Sequence, residues 1–117
     1  MITAAETKLR IIGDRRWWKI PLMDFVDDFR RGRSAAAIAD PFTLDDERID
    51  AVLASVIEHL CDELKIAVPE WLAAVPSCRK PYFVSGIDNL KATAIVESPL
   101  RFRMRKVFVM ENFLYRV

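Results

Sequence analysis

The chain has 117 residues, of which 52% are hydrophobic and 30% charged, and its 18 basic residues nearly balance 17 acidic ones. A chain of this mass buries roughly two-thirds of its unfolded surface, so it can hold a core without a metal or a disulfide. Its uncharged stretches are much shorter than the roughly 20 apolar residues that cross a bilayer, which argues against a membrane helix.

The N-terminal segment carries the signals of a first helix. Thr3 followed by Glu6 is a capping-box pattern, and it predicts a helix from about Ala4 to Ile12. Gly13 stands where the chain would leave this helix in a left-handed conformation, which glycine tolerates best.

A second helix follows Pro21, which suits the first turn of a helix. Its apolar residues recur with the i, i+3, i+4, i+7 spacing of a buried helix face, and Gly32 is a natural stop. The apolar residues are Leu22, Phe25, Val26 and Phe29. Ser34 is then expected to cap a short alanine-rich turn that ends before Pro41.

The clearest signal lies between Asp45 and Lys65, where apolar residues repeat at alternating steps of three and four. These residues are Ile49, Val52, Leu53, Val56, Ile57, Leu60, Cys61 and Leu64. The spacing predicts a long amphipathic helix, and the acidic residues of its first turn and the lysine of its last agree with the helix dipole. We expect the other helices to pack around it.

The next segments predict two shorter helices. Pro69 opens a short helical segment that ends before Pro76. After a loop, a largely apolar helix is expected from Ile87 to about Glu97. Its inward-facing residues should be Leu90, Ala94 and Ile95.

The tail supports two interpretations. Apolar residues alternate with arginines over residues 100–105, which is the period of a half-buried strand, whereas residues 98–99 are a serine and a proline that favour the start of a helix. We favour a helix over 99–106, an extended segment over 107–109, and a last helical turn through 113–114. The whole pattern predicts a single all-α domain of about five to seven helices, spanning the full chain.

Residue types needed for catalysis or metal binding are scarce. Only His59, Cys61 and Cys78 could supply nitrogen or sulfur ligands, whereas structural zinc uses four. The glycines are isolated, so they form no phosphate-binding loop. The acidic residues near Asp45 are better explained by the helix dipole than by acid–base catalysis. We therefore predict a chain that is not an enzyme and has no cofactor and no metal.

The N-terminus also lacks the basic start and apolar run of a secretory signal. We therefore expect a cytoplasmic protein with both cysteines reduced.

Charge is unevenly distributed along the chain. Residues 1–33 carry a net charge of +3, residues 40–65 carry −6, and residues 98–117 carry +4. Such an asymmetry either steers a charged partner or is cancelled when acidic and basic segments pack together.

Two basic clusters are candidate contact sites. The first holds Trp17 and Trp18 beside Arg15, Arg16 and Lys19. Adjacent aromatic rings among cations can stack on bases while the cations neutralise phosphates. The same tryptophans can instead pack onto the following helix or lie in a protein interface.

The second cluster places four cations within six residues of the tail. They are Arg101, Arg103, Arg105 and Lys106. These side chains could bind phosphates, an acidic face of a partner protein, or acidic residues of the same chain such as Asp45, Asp46 or Glu58. A DNA-reading helix-turn-helix is not expected, because the alanine-rich turn after Ser34 offers no base-reading side chains.

Several blocks of the second half resemble a group of poorly characterised bacterial proteins. The blocks are Pro69-Glu-Trp71, Pro81-Tyr-Phe83, Leu90 to Pro99, and Phe102 to Val109. Members of this group occur alone or behind an Xre-type helix-turn-helix, and they tend to have an arginine and an asparagine where this chain has Met104 and Lys106. The resemblance covers about residues 45–117, and more loosely residues 15–29.

Genes of that group often lie near predicted nucleotidyltransferases, in an arrangement similar to toxin–antitoxin pairs. The resemblance therefore implies a protein partner and no chemistry of the chain's own. We predict a non-catalytic interaction protein, plausibly the antitoxin-like partner of a nucleotidyltransferase. The alternative is a nucleic-acid-binding regulator that uses the tail cluster and the two tryptophans.

Overall fold

The structure is a computed structural model that describes residues 1–115; residues 116 and 117 of the predicted domain lie outside the described part. The described residues form the following α-helices and strands: α1 Ala4–Gly13, α2 Lys19–Gly32, α3 Glu47–Leu64, β1 Tyr82–Phe83, α4 Lys91–Glu97, α5 Leu100–Met104 and β2 Val107–Phe108. Short 3-10 turns lie at Arg15–Trp17, Ala35–Ile38, Glu70–Ala74 and Asp88–Leu90. The predicted helical class is confirmed in outline, but the chain also contains a small parallel sheet that was not expected.

Helix α1 begins as the capping pattern predicts. The Thr3 hydroxyl oxygen accepts a hydrogen bond from the Glu6 amide at 3.1 Å. The prediction for its end was wrong, because Gly13 stays helical and the chain leaves the helix through Asp14, whose φ of −153° is not left-handed. A 3-10 turn follows at once, so no left-handed residue is needed there.

Helix α2 buries its predicted face, since Leu22, Phe25, Val26 and Phe29 are all at most 1% exposed. It begins at Lys19, two residues before Pro21. Proline is tolerated in the first turn because the amide hydrogen that it lacks would have no partner within the helix. The left-handed residue that ends it is Arg33 rather than Gly32. The predicted turn after Ser34 forms, but the serine side chain makes no capping bond.

Helix α3 is the longest helix of the described chain. Asp46 caps it by accepting hydrogen bonds from the amides of Arg48 and Ile49, at 2.9 and 3.1 Å. Every residue from Asp50 to Cys61 except His59 is buried, so this part of the helix is covered around nearly its whole circumference. It packs against α2, α5 and β2.

The helix predicted over residues 87–97 divides into a 3-10 turn and the short α4. Ala94 is buried as expected, but Leu90 is only partly buried and Ile95 is 48% exposed. A 3-10 turn advances about 120° per residue instead of about 100°, so the change of helix type rotates the face that the pattern predicted.

The tail follows the predicted sequence of a helix and an extended segment. The sheet is parallel and pairs Tyr82 with Val107 and Phe83 with Phe108, so the extended segment has a partner strand. Residues 111–114 form turns rather than a regular helix, and one is closed by a hydrogen bond from the Phe113 amide to the Met110 carbonyl at 3.0 Å. Among residues 1–115, no helix combines the length and the apolar character that crossing a bilayer requires.

Candidate functional site

Arg105 of the tail cluster lies inside the protein. Its side chain is 8% exposed, and its Nε donates to the Glu58 carboxylate at 2.7 Å. Its two terminal nitrogens donate to the carbonyls of Val75 and Leu72, at 2.6 and 2.8 Å. Arg105, which the sequence offered as a partner contact, is therefore buried instead, and its donors join α3 to the 3-10 turn at 70–74 and to the residue that follows it.

Two more arginines of the cluster also form bonds within the chain. Arg101 makes a bidentate pair with Asp62, at 2.8 and 3.0 Å, and this guanidinium lowers the pKa of the Asp62 carboxyl. Arg103 donates to the carbonyls of Ser98 and Val96, both at 2.7 Å. Within residues 1–115, Lys106 is exposed and forms no ion pair, so it is the member of the cluster that remains open to a partner.

The acidic start of α3 pairs with the N-terminal basic segment rather than with the tail. Lys8 is fully buried, and its ammonium contacts Asp50, Asp45 at 2.7 Å and the Thr43 carbonyl at 2.7 Å. Arg15 also pairs with Asp45, and its hydrogen bond, followed by that of Lys8, lowers the pKa of this carboxyl. The charge asymmetry along the sequence is thus largely cancelled inside the fold: Lys8 and Arg15 pair with the acidic residues at the start of α3, and the tail arginines pair with Glu58 and Asp62.

The two adjacent tryptophans have different environments. Trp18 is half-buried and packs on Phe113, with 6.4 Å between ring centroids, while the Lys19 ammonium lies 5.7 Å from its indole. Trp17 is 54% exposed and carries the Arg16 guanidinium 5.3 Å from its ring. Trp18 therefore takes the packing role, and Trp17 remains at the surface.

A groove of about 280 Å³ opens beside these tryptophans, between the start of α2 and the C-terminal segment. We call it the aromatic groove. Its apolar walls are formed by Leu22, Met23, Val84, Val109, Met110 and Phe113. Lys19, Ser85, Asn112 and Tyr115 also line it, and no acidic side chain among residues 1–115 does, so this described edge is neutral to positive.

Large apolar side chains stay exposed around the start of α2. Tyr115, which lines the aromatic groove, is 57% exposed, and Ile20, on the first turn of α2, is 52% exposed. The Arg30 guanidinium lies 4.7 Å from the Tyr115 ring. A second groove on the other side of α2 is lined by Trp17 and Ile20.

Both cysteines are buried, and the histidine is partly buried. Burial raises the pKa of the Cys61 thiol to about 11 and also raises the pKa of Cys78, so both favour the protonated form. Burial lowers the pKa of His59, whose ring packs against Phe102. In the part of the chain that the structure describes, no three histidines, cysteines or acidic residues are placed to hold a metal ion.

Sequence reasoning found only one edge of the aromatic groove. The tryptophan pair marked the start of α2, but the other walls come from residues 84–85 and 109–115, which lie far along the chain. Comparison with known proteins gives no family: no family model, no curated protein and no solved structure matches this chain. The site is therefore interpreted from its own residues.

Proposed function

We propose that this chain is a non-catalytic interaction protein that binds a partner protein on the surface at the start of α2, which comprises the aromatic groove and the second groove beside it. The observations that carry the proposal are the apolar walls of the aromatic groove, which the exposed Tyr115 also lines, and the exposed side chains of Trp17 and Ile20 in the second groove. Tryptophan, tyrosine and methionine are enriched at protein interfaces, where a few such residues supply most of the binding energy. This surface contains all three types.

The charges around the groove indicate the chemistry of the partner. Among residues 1–115, Lys19 lines the aromatic groove without an ion pair and no acidic side chain lines it, while Arg16 is exposed on the Trp17 ring. A partner that inserts an apolar side chain flanked by carboxylates would match both the apolar walls and the basic edge of the groove. By the resemblance of the second half, the proposed partner class is a nucleotidyltransferase, in an antitoxin-like pair.

A binding role is favoured over a catalytic one by the way the polar groups are used. The buried acidic residues Asp50 and Glu58 are both held in ion pairs with basic side chains of the same chain. The two thiols are buried and favour the protonated form. A groove whose walls are apolar and which holds no acidic group offers shape and contact area rather than proton transfer.

The proposal is tested by measuring the affinity for a nucleotidyltransferase encoded beside the gene in its native host. Trp17→Ala should weaken binding by about thirtyfold or more, which corresponds to the roughly 2 kcal/mol of an interface hot spot. Ile20→Ala and Ile95→Ala form a matched pair, because both isoleucines are about half exposed, at 52% and 48%. Only the variant at Ile20 should weaken binding.

Equal affinities for the wild type, Trp17→Ala and Ile20→Ala would refute the placement of the interface. No measurable complex with the neighbouring enzyme would refute the partner class. The melting temperature of each variant serves as the control, since exposed side chains away from the core change stability little.

A further inference from the structure

A second surface of the molecule combines cations with aromatic rings around β1. The Arg48 guanidinium lies 5.1 Å from the Tyr82 ring, and the Lys91 ammonium lies 5.3 Å from the Phe83 ring. Phe83 also stacks on Phe108, with centroids 5.1 Å apart and the ring planes 23° from parallel. We call this the β1 surface.

Two grooves meet on the β1 surface at Arg48. One, of about 350 Å³, is lined by Glu47, Arg48, Cys78, Arg79 and Lys80. The other, of about 410 Å³, is lined in part by Arg48, Tyr82, Phe83, Asp88 and Lys91. Cations thus outnumber acidic groups two to one along the joined grooves.

The two acidic groups are already neutralised within the chain. Glu47 pairs with Arg79 at 3.3 Å, and Asp88 pairs with Lys91 at 3.2 Å. Among residues 1–115, Arg48 and Lys80 are exposed and form no ion pair. The β1 surface therefore has a net positive charge that the fold does not cancel, in contrast to the tail cluster.

We propose that the β1 surface binds single-stranded nucleic acid. The contact between an exposed cation and an aromatic ring is weaker than the stacking of a base on the same ring. A base can therefore displace the Arg48 or Lys91 side chain from its ring, and the displaced cation then reaches a neighbouring phosphate. An acidic peptide would satisfy the cations but would leave Tyr82 and Phe83 without a partner.

This proposal does not depend on the proposed protein partner, because the two surfaces differ in every charged residue. It also places nucleic-acid binding on a different surface from the tail arginines, which the sequence pattern had suggested for that role. Local patterning could not show the surface, since its cations come from residues 48, 79–80 and 91 and are brought together by the fold.

The test uses fluorescence anisotropy with labelled 12-mers of oligo-uridine and oligo-thymidine between 50 and 200 mM salt. Three to four phosphate contacts on a single strand give a log–log salt slope of about −2 to −3, so affinity should fall by about 20- to 50-fold over this range. An abasic 12-mer should bind at least about fivefold more weakly, because it keeps the phosphates but cannot stack. Binding of either base-containing strand supports the proposal, and a difference between them reports a preference for RNA or DNA.

Variants locate the contacts. Arg48→Gln and Lys91→Gln should each reduce the steepness of the salt slope by about 0.7. Arg31→Gln is the matched control: Arg31 is exposed on the last turn of α2, and the substitution removes the same charge without changing the slope. Phe83→Leu should weaken binding of the base-containing strand but not of the abasic one.

Three results would overturn the proposal: no binding at 50 mM salt, equal binding of the abasic strand, or binding of a polyglutamate peptide as tight as that of the oligonucleotides. An unchanged slope in Arg48→Gln and Lys91→Gln would also overturn it. These two variants alter exposed side chains, so they decide the matter even when Phe83→Leu does not fold.

Discussion

Removal of the Arg105 side chain tests a buried polar interaction that comprises three hydrogen bonds. The guanidinium is 8% exposed and donates to Glu58 and to the carbonyls of Leu72 and Val75. Arg105→Ala leaves a buried carboxylate without its main partner, which costs about 3 to 5 kcal/mol. A domain of this length has a total stability of about 6 to 18 kcal/mol, so the loss is a large fraction of the whole.

Urea unfolding measures this loss directly. With an m-value of about 1.5 kcal/mol per molar urea, the midpoint of Arg105→Ala should fall by about 2 to 3 M. Arg103→Ala is the matched control, because this exposed arginine donates only to the carbonyls of Ser98 and Val96 and should cost less than about 1.5 kcal/mol. Equal midpoints for the two variants would refute the buried role of Arg105.

A double variant separates the ion pair from the rest of the site. Glu58→Leu combined with Arg105→Met removes both charges, and apolar groups can replace a buried pair with little net loss. The double variant should therefore be at least about 1 kcal/mol more stable than the sum of the single losses predicts. Strict additivity would mean that the two side chains do not interact energetically.

Further predictions concern the core, the N-terminal ion pairs and a thiol. Leu53→Ala should cost about 2 to 5 kcal/mol in urea unfolding, because Leu53 is 1% exposed and its loss leaves a cavity; a loss near zero would contradict its place in the core. Hydrogen bonds from Arg15 and Lys8 lower the pKa of Asp45 in the folded protein. The ionised Asp45 carboxylate therefore stabilises the fold at pH values above its pKa in the unfolded chain, near 4, and this stabilisation is lost as the pH falls through its lower pKa in the folded protein. At pH values below about 4 the melting temperature should accordingly decrease, and it should decrease less steeply in Asp45→Asn than in the wild type. Identical pH profiles of the two proteins would argue against this contribution. Burial raises the pKa of the Cys61 thiol to about 11, so a thiol reagent at pH 8 should label it only after unfolding in urea; rapid labelling of the native protein would contradict its burial.

The helices could be predicted because their signals are local. The apolar spacing from Ile49 to Leu64 and the capping residues Thr3 and Asp46 lie within the elements that they specify. The pairing of β1 with β2 could not be predicted, since it joins two-residue strands whose paired residues, Tyr82 and Val107, lie far apart in the chain. No alternation is visible in so short a strand.

The candidate sites were likewise only partly predictable from local sequence patterns. Residues 101, 103 and 105 are all arginines at regular spacing, yet only Arg105 is buried. It donates to Glu58 at 2.7 Å, whereas Arg101 is 28% exposed and reaches the same carboxylate only at 3.8 Å. The basic cluster around the tryptophan pair included Lys19, one of the residues that line the aromatic groove. Its other walls, which include Val84 and Phe113, depend on how the C-terminal segment packs against α2, and no local pattern encodes that packing.

Site-specific photocrosslinking in the native host tests the central claim that the surface at the start of α2, formed by the aromatic groove and the groove lined by Trp17 and Ile20, binds a protein partner. A benzophenone amino acid is placed at residue 20 in one variant and at residue 95 in the other, where the two isoleucines have similar exposure on different helices. The proposal predicts one crosslinked product of defined mass from position 20 that contains the neighbouring nucleotidyltransferase, and none from position 95. The same products from both positions, or none from position 20, would contradict it.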